Sequence, residues 1–217
     1  MTDALSITML GLALGMRHAT DADHVVAVTT IVSERGKAGG AALIGAIWGL
    51  GHTTTILLLG GAIILFEWII PPRVGLALEF AVGIMLVVLG GRALRRARPA
   101  IGRTEPRHRH ARPFGIGLVH GLAGSAAVAL VVLATISDAR WAMAYLALFG
   151  VGTLIGMAVI TAVLALPFRS GRLASSRWPE ALRVGAGVLS LGFGLMLMYE
   201  IGVGNHLFVG TPVWDPR

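Results

Sequence analysis

Six apolar stretches follow one another along the chain, separated by short polar or proline-containing segments. About 20 apolar residues cross a bilayer as a helix, and lipid tolerates a helix because its backbone groups bond to one another. The predicted spans are Ala4–Val32, Gly40–Trp68, Val74–Leu94, Phe114–Ile136, Trp141–Phe168 and Ala181–Val203. The pattern therefore predicts an all-α integral membrane protein with six transmembrane helices.

The breaks between the spans suggest how the chain is divided. The paired prolines of "IIPPR" (69–73) predict a tight turn, because they cannot continue a helix. The segment "RRARPAIGRTEPRHRHARP" (95–113) is the only long hydrophilic linker. We therefore expect a first three-helix unit over 1–94, a basic linker over 95–113, a second three-helix unit over 114–203 and a tail over 204–217.

The two three-helix units resemble each other in sequence. "GMRHATDADHVVAV" (15–28) aligns with "LVHGLAGSAAVAL" (118–130), which matches His18 with His120. "WGLGHT" (48–53) aligns with "FGVGTL" (149–154), and "FAVGIML" (80–86) with "VGAGVLS" (184–190), at nearly constant offsets of 102, 101 and 104 residues. An odd number of spans per unit inverts the second unit in the membrane. Such a 3+3 inverted repeat is typical of transporters.

Composition and charge agree with a membrane protein and indicate its orientation. Only 13% of the residues are charged, against about 25% in soluble domains. The net charge of +7 is typical of some nucleic-acid-binding proteins, but the basic residues cluster in loops between spans, which indicates topology instead. One side of the membrane receives 14 Lys and Arg and the other 3. We expect the first side to be cytoplasmic, both termini to be extracytoplasmic, and no nucleic acid to be bound.

Several ionisable residues fall at membrane depth. The first span contains Arg17, His18, Asp21, Asp23 and His24, and the second contains His52. Placing one such side chain at the centre of a membrane helix costs about 2.5–3.5 kcal/mol of insertion free energy, so it usually has a partner or a function. Measured from the cytoplasmic helix ends, His18 lies about 20 Å deep, His24 about 12 Å and His52 about 17 Å. We therefore expect the three imidazoles to meet on adjacent helices.

This residue set suits a divalent transition metal. The chain has no cysteine, and imidazole with carboxylate suits nickel, cobalt, zinc or iron. A straight helix places His18, Asp21 and His24 on one face and turns Asp23 away, at about 100° per residue. Asp23 reaches the same site only if the helix unwinds or kinks near residues 20–22, and we expect the first helix to be kinked or broken at this motif. The alternative is structural: Arg17 pairs with one of the aspartates, and the histidines hydrogen-bond neighbouring helices.

Two further residues are candidates for the same site. His120, the repeat equivalent of His18, is either another ligand or relay, or a histidine that bonds a backbone carbonyl. Thr53 follows His52 and can offer a hydroxyl to the ion, although threonines in helices commonly bond back to their own helix.

These motifs resemble the nickel/cobalt transporter (NiCoT) family. "RHATDADHVVAV" carries His18-x4-Asp23-His24, which resembles the family's H-x4-D-H signature, and "IWGLGHTTTI" (47–56) resembles its second signature. "LEFAVGIMLVVLG", "GLVHGLAGSAA" and "FGVGTLIGM" look like its short six-helix branch, often labelled as the urease accessory permease UreH. The resemblance implies a multi-pass permease of the cytoplasmic (inner) membrane, with His18, Asp23 and His24 as metal-recognition residues.

The resemblance also implies a cargo and partners. Ni2+ or Co2+ would be the transported substrate, with no permanently bound cofactor, and cytoplasmic nickel chaperones would receive it for urease or NiFe hydrogenase. The later family signature with Asp-Thr-Ala-Thr-Glu is missing, and "HGLAGSAA" (120–127) stands in the second half. Transport direction therefore stays open between uptake and efflux for metal tolerance.

Other classes of function fit the sequence less well. The chain has no P-loop motif and no H-E-x-x-H motif, so neither ATP hydrolysis through a P-loop nor zincin-type catalysis is expected. A non-transport membrane protein that binds haem or metal through facing histidines is the remaining alternative. We interpret the chain as a transporter and not as an enzyme.

Overall fold

The structure is a computed structural model that describes residues 2–35, 40–67, 70–95, 110–122, 136, 138–166 and 178–214. This part of the chain contains seven α-helices and no strand. The helices are α1 (Thr2–His18), α2 (Ala22–Arg35), α3 (Ala41–Phe66), α4 (Pro72–Arg95), α5 (Ala111–His120), α6 (Ala139–Leu164) and α7 (Trp178–Tyr199). A short π-helix, Glu200–Gly204, extends α7.

Four helices of the described chain are long and apolar enough to cross a membrane. They are α3, α4, α6 and the segment Glu180–Gly204, and they correspond to the predicted second, third, fifth and sixth spans. The predicted fourth span begins as α5, and its continuation over 123–135 lies outside the described residues, as does most of the linker, 96–109. The paired prolines do not continue α3. Pro71 lies between α3 and α4, and Pro72 is the first residue of α4.

Apolar side chains remain exposed along these helices. Leu58 is 68% exposed on α3, Val88 52% on α4, Val159 53% on α6 and Leu189 64% on α7. Large exposed apolar patches are rare on soluble monomers, whereas lipid accepts them. The helices therefore present a surface that suits a bilayer.

The predicted first span is two helices separated by a break. Residues 19–21 leave the regular helix, and the amides of Thr20 and Asp21 bond the carbonyls of Arg17 and His18, three residues back, at 2.8 and 3.0 Å. The Thr20 hydroxyl also donates to the Arg17 carbonyl at 2.6 Å. A regular bond from the Val25 amide to the Asp21 carbonyl then starts α2. The break expected inside the His/Asp motif is confirmed.

Glycines allow the helices to approach closely, and their contacts come in matched pairs. A Cβ at Gly15 of α1 would clash with the carbonyl of Phe149 on α6. A Cβ at Gly117 of α5 would clash in the same way with the carbonyl of Trp48 on α3. Gly117 follows Gly15 by 102 positions and Phe149 follows Trp48 by 101. The contact of α1 with α6 therefore has the same register as the contact of α5 with α3.

Two further pairs of glycine contacts are related by the same offset in sequence. Gly51 faces the carbonyl of Phe114, and Gly152 faces the carbonyl of Leu12. Between α4 and α7, Gly90 faces the carbonyl of Gly187, and Gly194 faces the carbonyl of Gly83. Each pair keeps the offset found in the aligned sequences, 101 to 104 positions. Small residues at such crossings are the usual means of close helix packing in lipid.

The segment after the π-helix returns to α4. The Trp214 indole lies against Gly75, and its Nε1 donates a hydrogen bond to Oε1 of Glu79 at 2.8 Å. Phe208 meets Phe80 edge to face, with ring centroids 5.2 Å apart. The tail is thus held against the helices as far as Trp214.

Candidate metal site

The helix break determines where the polar side chains of the first span point. It makes His18 the last residue of α1 and places Asp23 and His24 in the first turn of α2. His52 lies in the middle of α3, and His120 is the last residue of α5. The four imidazoles converge in one buried cluster, with His18 5% exposed and the other three 0% exposed.

His18 joins the α1 end of the cluster to α3. Its Nδ1 lies 2.8 Å from Oδ2 of Asp21, and its Nε2 lies 3.1 Å from Nε2 of His52. A carboxylate only accepts, so Nδ1 of a neutral His18 carries the proton and its Nε2 carries the lone pair. His52 then donates from Nε2, which leaves its own Nδ1 as a lone-pair nitrogen. That Nδ1 is buried and has no hydrogen-bond partner among the described residues.

Asp23 bridges the other two imidazoles. Its Oδ1 accepts from Nδ1 of His24 at 3.0 Å, and its Oδ2 accepts from Nε2 of His120 at 3.1 Å. The carboxylate also accepts the backbone N–H of His24 at 2.9 Å. The same tautomer argument leaves lone pairs on Nε2 of His24 and Nδ1 of His120. Both nitrogens are buried without a partner in the part of the chain that the structure describes.

Two overlapping sets of side chains have the arrangement of a metal site. The first set, called here the His18 group, is His18, His24 and His52. The second, the His120 group, is Asp23, His24 and His120. Within each group one ligand atom per residue lies within 4.8 Å of the others. Unpaired buried nitrogens are costly, and a divalent cation bound by imidazole would satisfy them.

Two aromatic side chains flank the cluster, and the sequence reasoning did not identify them as part of it. The Trp48 ring lies 5.5 Å from the His24 ring and 5.4 Å from the His120 ring, and Phe149 lies 5.4 Å from His18. Trp48 and Phe149 occupy equivalent positions in the aligned "WGLGHT" and "FGVGTL" segments. That alignment was the signal in the sequence that both residues belong to the site.

The two aspartates have different surroundings. Among the described residues the Asp21 carboxylate pairs with one imidazole, that of His18, and its side chain is 36% exposed, whereas Asp23 contacts two imidazoles and is 14% exposed. A straight helix offers only one of these residues to the site. The break after His18 lets both reach the histidines, so the competition between Asp21 and Asp23 arose from assuming a continuous helix.

Two candidates from the sequence stand apart from the cluster. The Arg17 side chain is exposed, and among the described residues the ion pairs of Asp21 and Asp23 are with histidines. The Thr53 hydroxyl donates to the carbonyl of Gly150 on α6 at 3.0 Å. Arg17 therefore contributes its backbone carbonyl to the helix break, and Thr53 contributes a contact between helices.

Comparisons with known proteins give two relatives. The chain is 38% identical over 221 residues to the urease accessory protein UreH of Bacillus sp. (strain TB-90), and the alignment covers 95% of this chain and 96% of that protein. It is 24% identical over 227 residues to the chloroplast protein FOR GROWTH AND FERTILITY 2 of Arabidopsis thaliana, covering 95% of this chain and 60% of that protein. No protein-family model matches the sequence, and no solved structure does.

Proposed function

The chain belongs to the family of the urease accessory protein UreH, and from this premise we propose that it is a secondary permease for Ni2+ in the cytoplasmic membrane. Its direction is uptake, and its cargo supplies urease or NiFe-hydrogenase maturation. The observation that carries the proposal is the cluster of four buried histidines and Asp23 among apolar helices. Co2+ prefers the same ligand types and is the second candidate cargo.

The residues that hold the passing ion are His18, Asp23, His24 and His52. Their support is the geometry: three imidazoles within contact of one another, and a carboxylate that orients His24. Carboxylate partners of this kind fix the ring orientation and raise the basicity of a metal-binding histidine. A permease must also release its ion, so a few protein ligands with part of the water shell retained suit transport better than a closed site.

The protein works as a 3+3 inverted repeat with both termini extracytoplasmic. The charge asymmetry of the loops and the matched glycine contacts support this arrangement. The repeats over 1–94 and 114–203 then move relative to each other and expose the cluster to each side of the membrane in turn. The basic linker over 95–113 lies in the cytoplasm.

The membrane potential is a sufficient energy source. Two charges that move inward through 100 mV gain about 4.6 kcal/mol, at about 2.3 kcal/mol per charge. That free energy corresponds to an accumulation of more than about a thousandfold. The transport cycle therefore needs neither ATP nor a second ion gradient to concentrate nickel.

Uptake of radioactive 63Ni2+ into proteoliposomes with an inside-negative potential tests the proposal. We expect saturable uptake by the wild type and a large loss in His18→Gln and His52→Gln. His206→Gln is the matched control, because His206 lies in the tail, away from the cluster. Absence of nickel uptake by the folded wild type would refute the permease function.

Cells that lack their own nickel transporter test the direction. An importer raises cellular nickel and urease activity when nickel is scarce. A protein that instead raises tolerance to excess nickel and lowers the cellular content would be an exporter, and the uptake direction would be wrong.

A further inference from the structure

The two ligand groups share one residue, and this sharing suggests a path for the ion. We propose that a single ion occupies the His18 group and the His120 group in turn, with His24 as the common ligand that passes it between them. This inference rests on the proposed permease function and adds to it a second position and a transport role for His120.

The distances make the transfer short. The ring centroid of His24 lies 4.5 Å from that of His18 and 4.4 Å from that of His120. His24 is also 4.9 Å from His52, so it contacts every other imidazole of the cluster. An ion that leaves His18 and His52 for Asp23 and His120 therefore keeps a protein ligand throughout the step. Retaining one ligand avoids returning the ion to full hydration among buried side chains.

The chemistry of His24 allows one ion at a time. A neutral imidazole has one lone-pair nitrogen, so His24 cannot bind an ion in each group simultaneously. Two divalent cations at this separation would also repel each other strongly, since burial weakens dielectric screening. The cluster therefore offers two positions to the metal ion but holds one ion at a time.

The repeat relationship gives the two positions opposite roles. His18 ends α1 and His120 ends α5, and the two are equivalent in the aligned halves. Each is accompanied by the equivalent aromatic residue at the same distance: Phe149 at 5.4 Å from His18 and Trp48 at 5.4 Å from His120. Equivalent residues of an inverted repeat serve opposite sides of the membrane. The His18 group then receives the ion from outside, and the His120 group releases it to the cytoplasm.

His120 has the free atom that this role needs. Its Nε2 contacts Asp23, and its Nδ1 is buried without a partner among the described residues. A histidine present only to bond a backbone carbonyl would have that carbonyl as a partner. The unpaired nitrogen thus favours a ligand over a packing residue.

Equilibrium dialysis of the purified full-length protein against 63Ni2+, combined with proteoliposome uptake, tests the proposal. We expect one nickel ion per wild-type chain. His120→Gln should still bind one ion through the His18 group, while its initial uptake rate falls about tenfold or more. His52→Gln should also bind one ion, through the His120 group, whereas His24→Gln should bind none at the same nickel concentration. His206→Gln is the control and should match the wild type in both measurements.

Three results would overturn the proposal: two ions bound per wild-type chain, wild-type uptake by His120→Gln, or no binding by His52→Gln. If His120→Gln does not elute as a folded protein in size-exclusion chromatography, the wild-type stoichiometry and His52→Gln still decide the question. A wild type that neither binds nor transports nickel would instead refute the proposed function, so the two failures are distinguishable.

Discussion

His18 and His120 lie at nearly equal distances from His24, 4.5 Å and 4.4 Å between ring centroids, although 102 positions separate them in the chain. The sequence alignment of the two halves pairs the same two residues. The glycine contacts of α1 with α6 and of α5 with α3 repeat at the same spacing. The buried cluster therefore forms where α1 and α5 end, and His24 lies between their last residues.

The two aspartates should contribute unequally to transport. Asp23→Asn weakens the orientation of both His24 and His120, since Asp23 accepts from each ring. We expect its initial rate of 63Ni2+ uptake to fall about 10- to 100-fold, the usual cost of losing a carboxylate that orients a metal-binding histidine. Asp21→Asn is the matched comparison, and we expect a smaller loss because Asp21 contacts one ring and is partly exposed. If Asp21→Asn abolished nickel uptake while Asp23→Asn transported normally, Asp21 and not Asp23 would be the more important carboxylate.

Trp48 should report the bound ion by fluorescence. Its ring lies 5.5 Å from His24, and its side chain is fully buried, so a paramagnetic Ni2+ ion in the cluster would quench its emission. We expect saturable quenching in a nickel titration of the wild type and loss of most of that quenching in Trp48→Phe. Trp141→Phe is the control, because Trp141 is 43% exposed at the start of α6. Quenching that survives in Trp48→Phe but disappears in Trp141→Phe would place the ion elsewhere.

The sequence predicted much of this site because its residues are close in the chain or at matching helix depth. The meeting of His18, His24 and His52 followed from their matching helix depth and is confirmed. The break between His18 and Ala22 was expected because the H-x4-D-H motif requires Asp23 at the site and a straight helix turns it away, and the break is also confirmed. His120 was harder to place, since its position depends on how closely α5 packs on α3. A single sequence does not contain that distance. Only the alignment of the two halves, which matches His120 with His18, indicated that His120 belongs to the site.

The tail shows a second limit of sequence reasoning. Trp214 bonds Glu79 across 135 positions, and Gly75 provides the space for its ring. A glutamate near the predicted end of a span and a tryptophan near the end of the chain are each ordinary interfacial residues. Nothing in their local sequence relates one to the other, so their contact emerged only from the tertiary structure.

The close approach of α5 to α3 should depend on one glycine. In Gly117→Ala the new Cβ would clash with the carbonyl of Trp48, and we expect a loss of about 1–3 kcal/mol in stability, the usual cost of overpacking. Gly115→Ala, on the same helix, is the control because a Cβ there meets nothing within 4 Å. Thermal unfolding in detergent measures both. Equal melting temperatures for the two variants would contradict the observed packing of α5 on α3.

Thr53 should affect packing more than metal affinity. Thr53→Val removes the bond to the Gly150 carbonyl, which we expect to cost about 0.6 kcal/mol, the average for hydrogen bonds between membrane helices. Nickel affinity measured by dialysis should stay close to that of the wild type. Thr54→Val is the comparison, since Thr54 bonds the Leu50 carbonyl within its own helix. A large loss of affinity confined to Thr53→Val would make its hydroxyl a ligand.

The proposed orientation can be tested by cysteine labelling, because the natural chain contains no cysteine. Val209→Cys places a thiol in the tail, where Val209 is 75% exposed, and His110→Cys places one at the exposed start of α5. With both termini outside and the basic linker inside, a membrane-impermeant maleimide should label Val209→Cys in intact cells. It should label His110→Cys only after the cells are opened. Three spans per half place the linker and the tail on opposite sides of the membrane, so labelling of both variants in intact cells would contradict the inverted repeat. The reverse pattern would contradict the proposed orientation and the extracytoplasmic entry assigned to the His18 group.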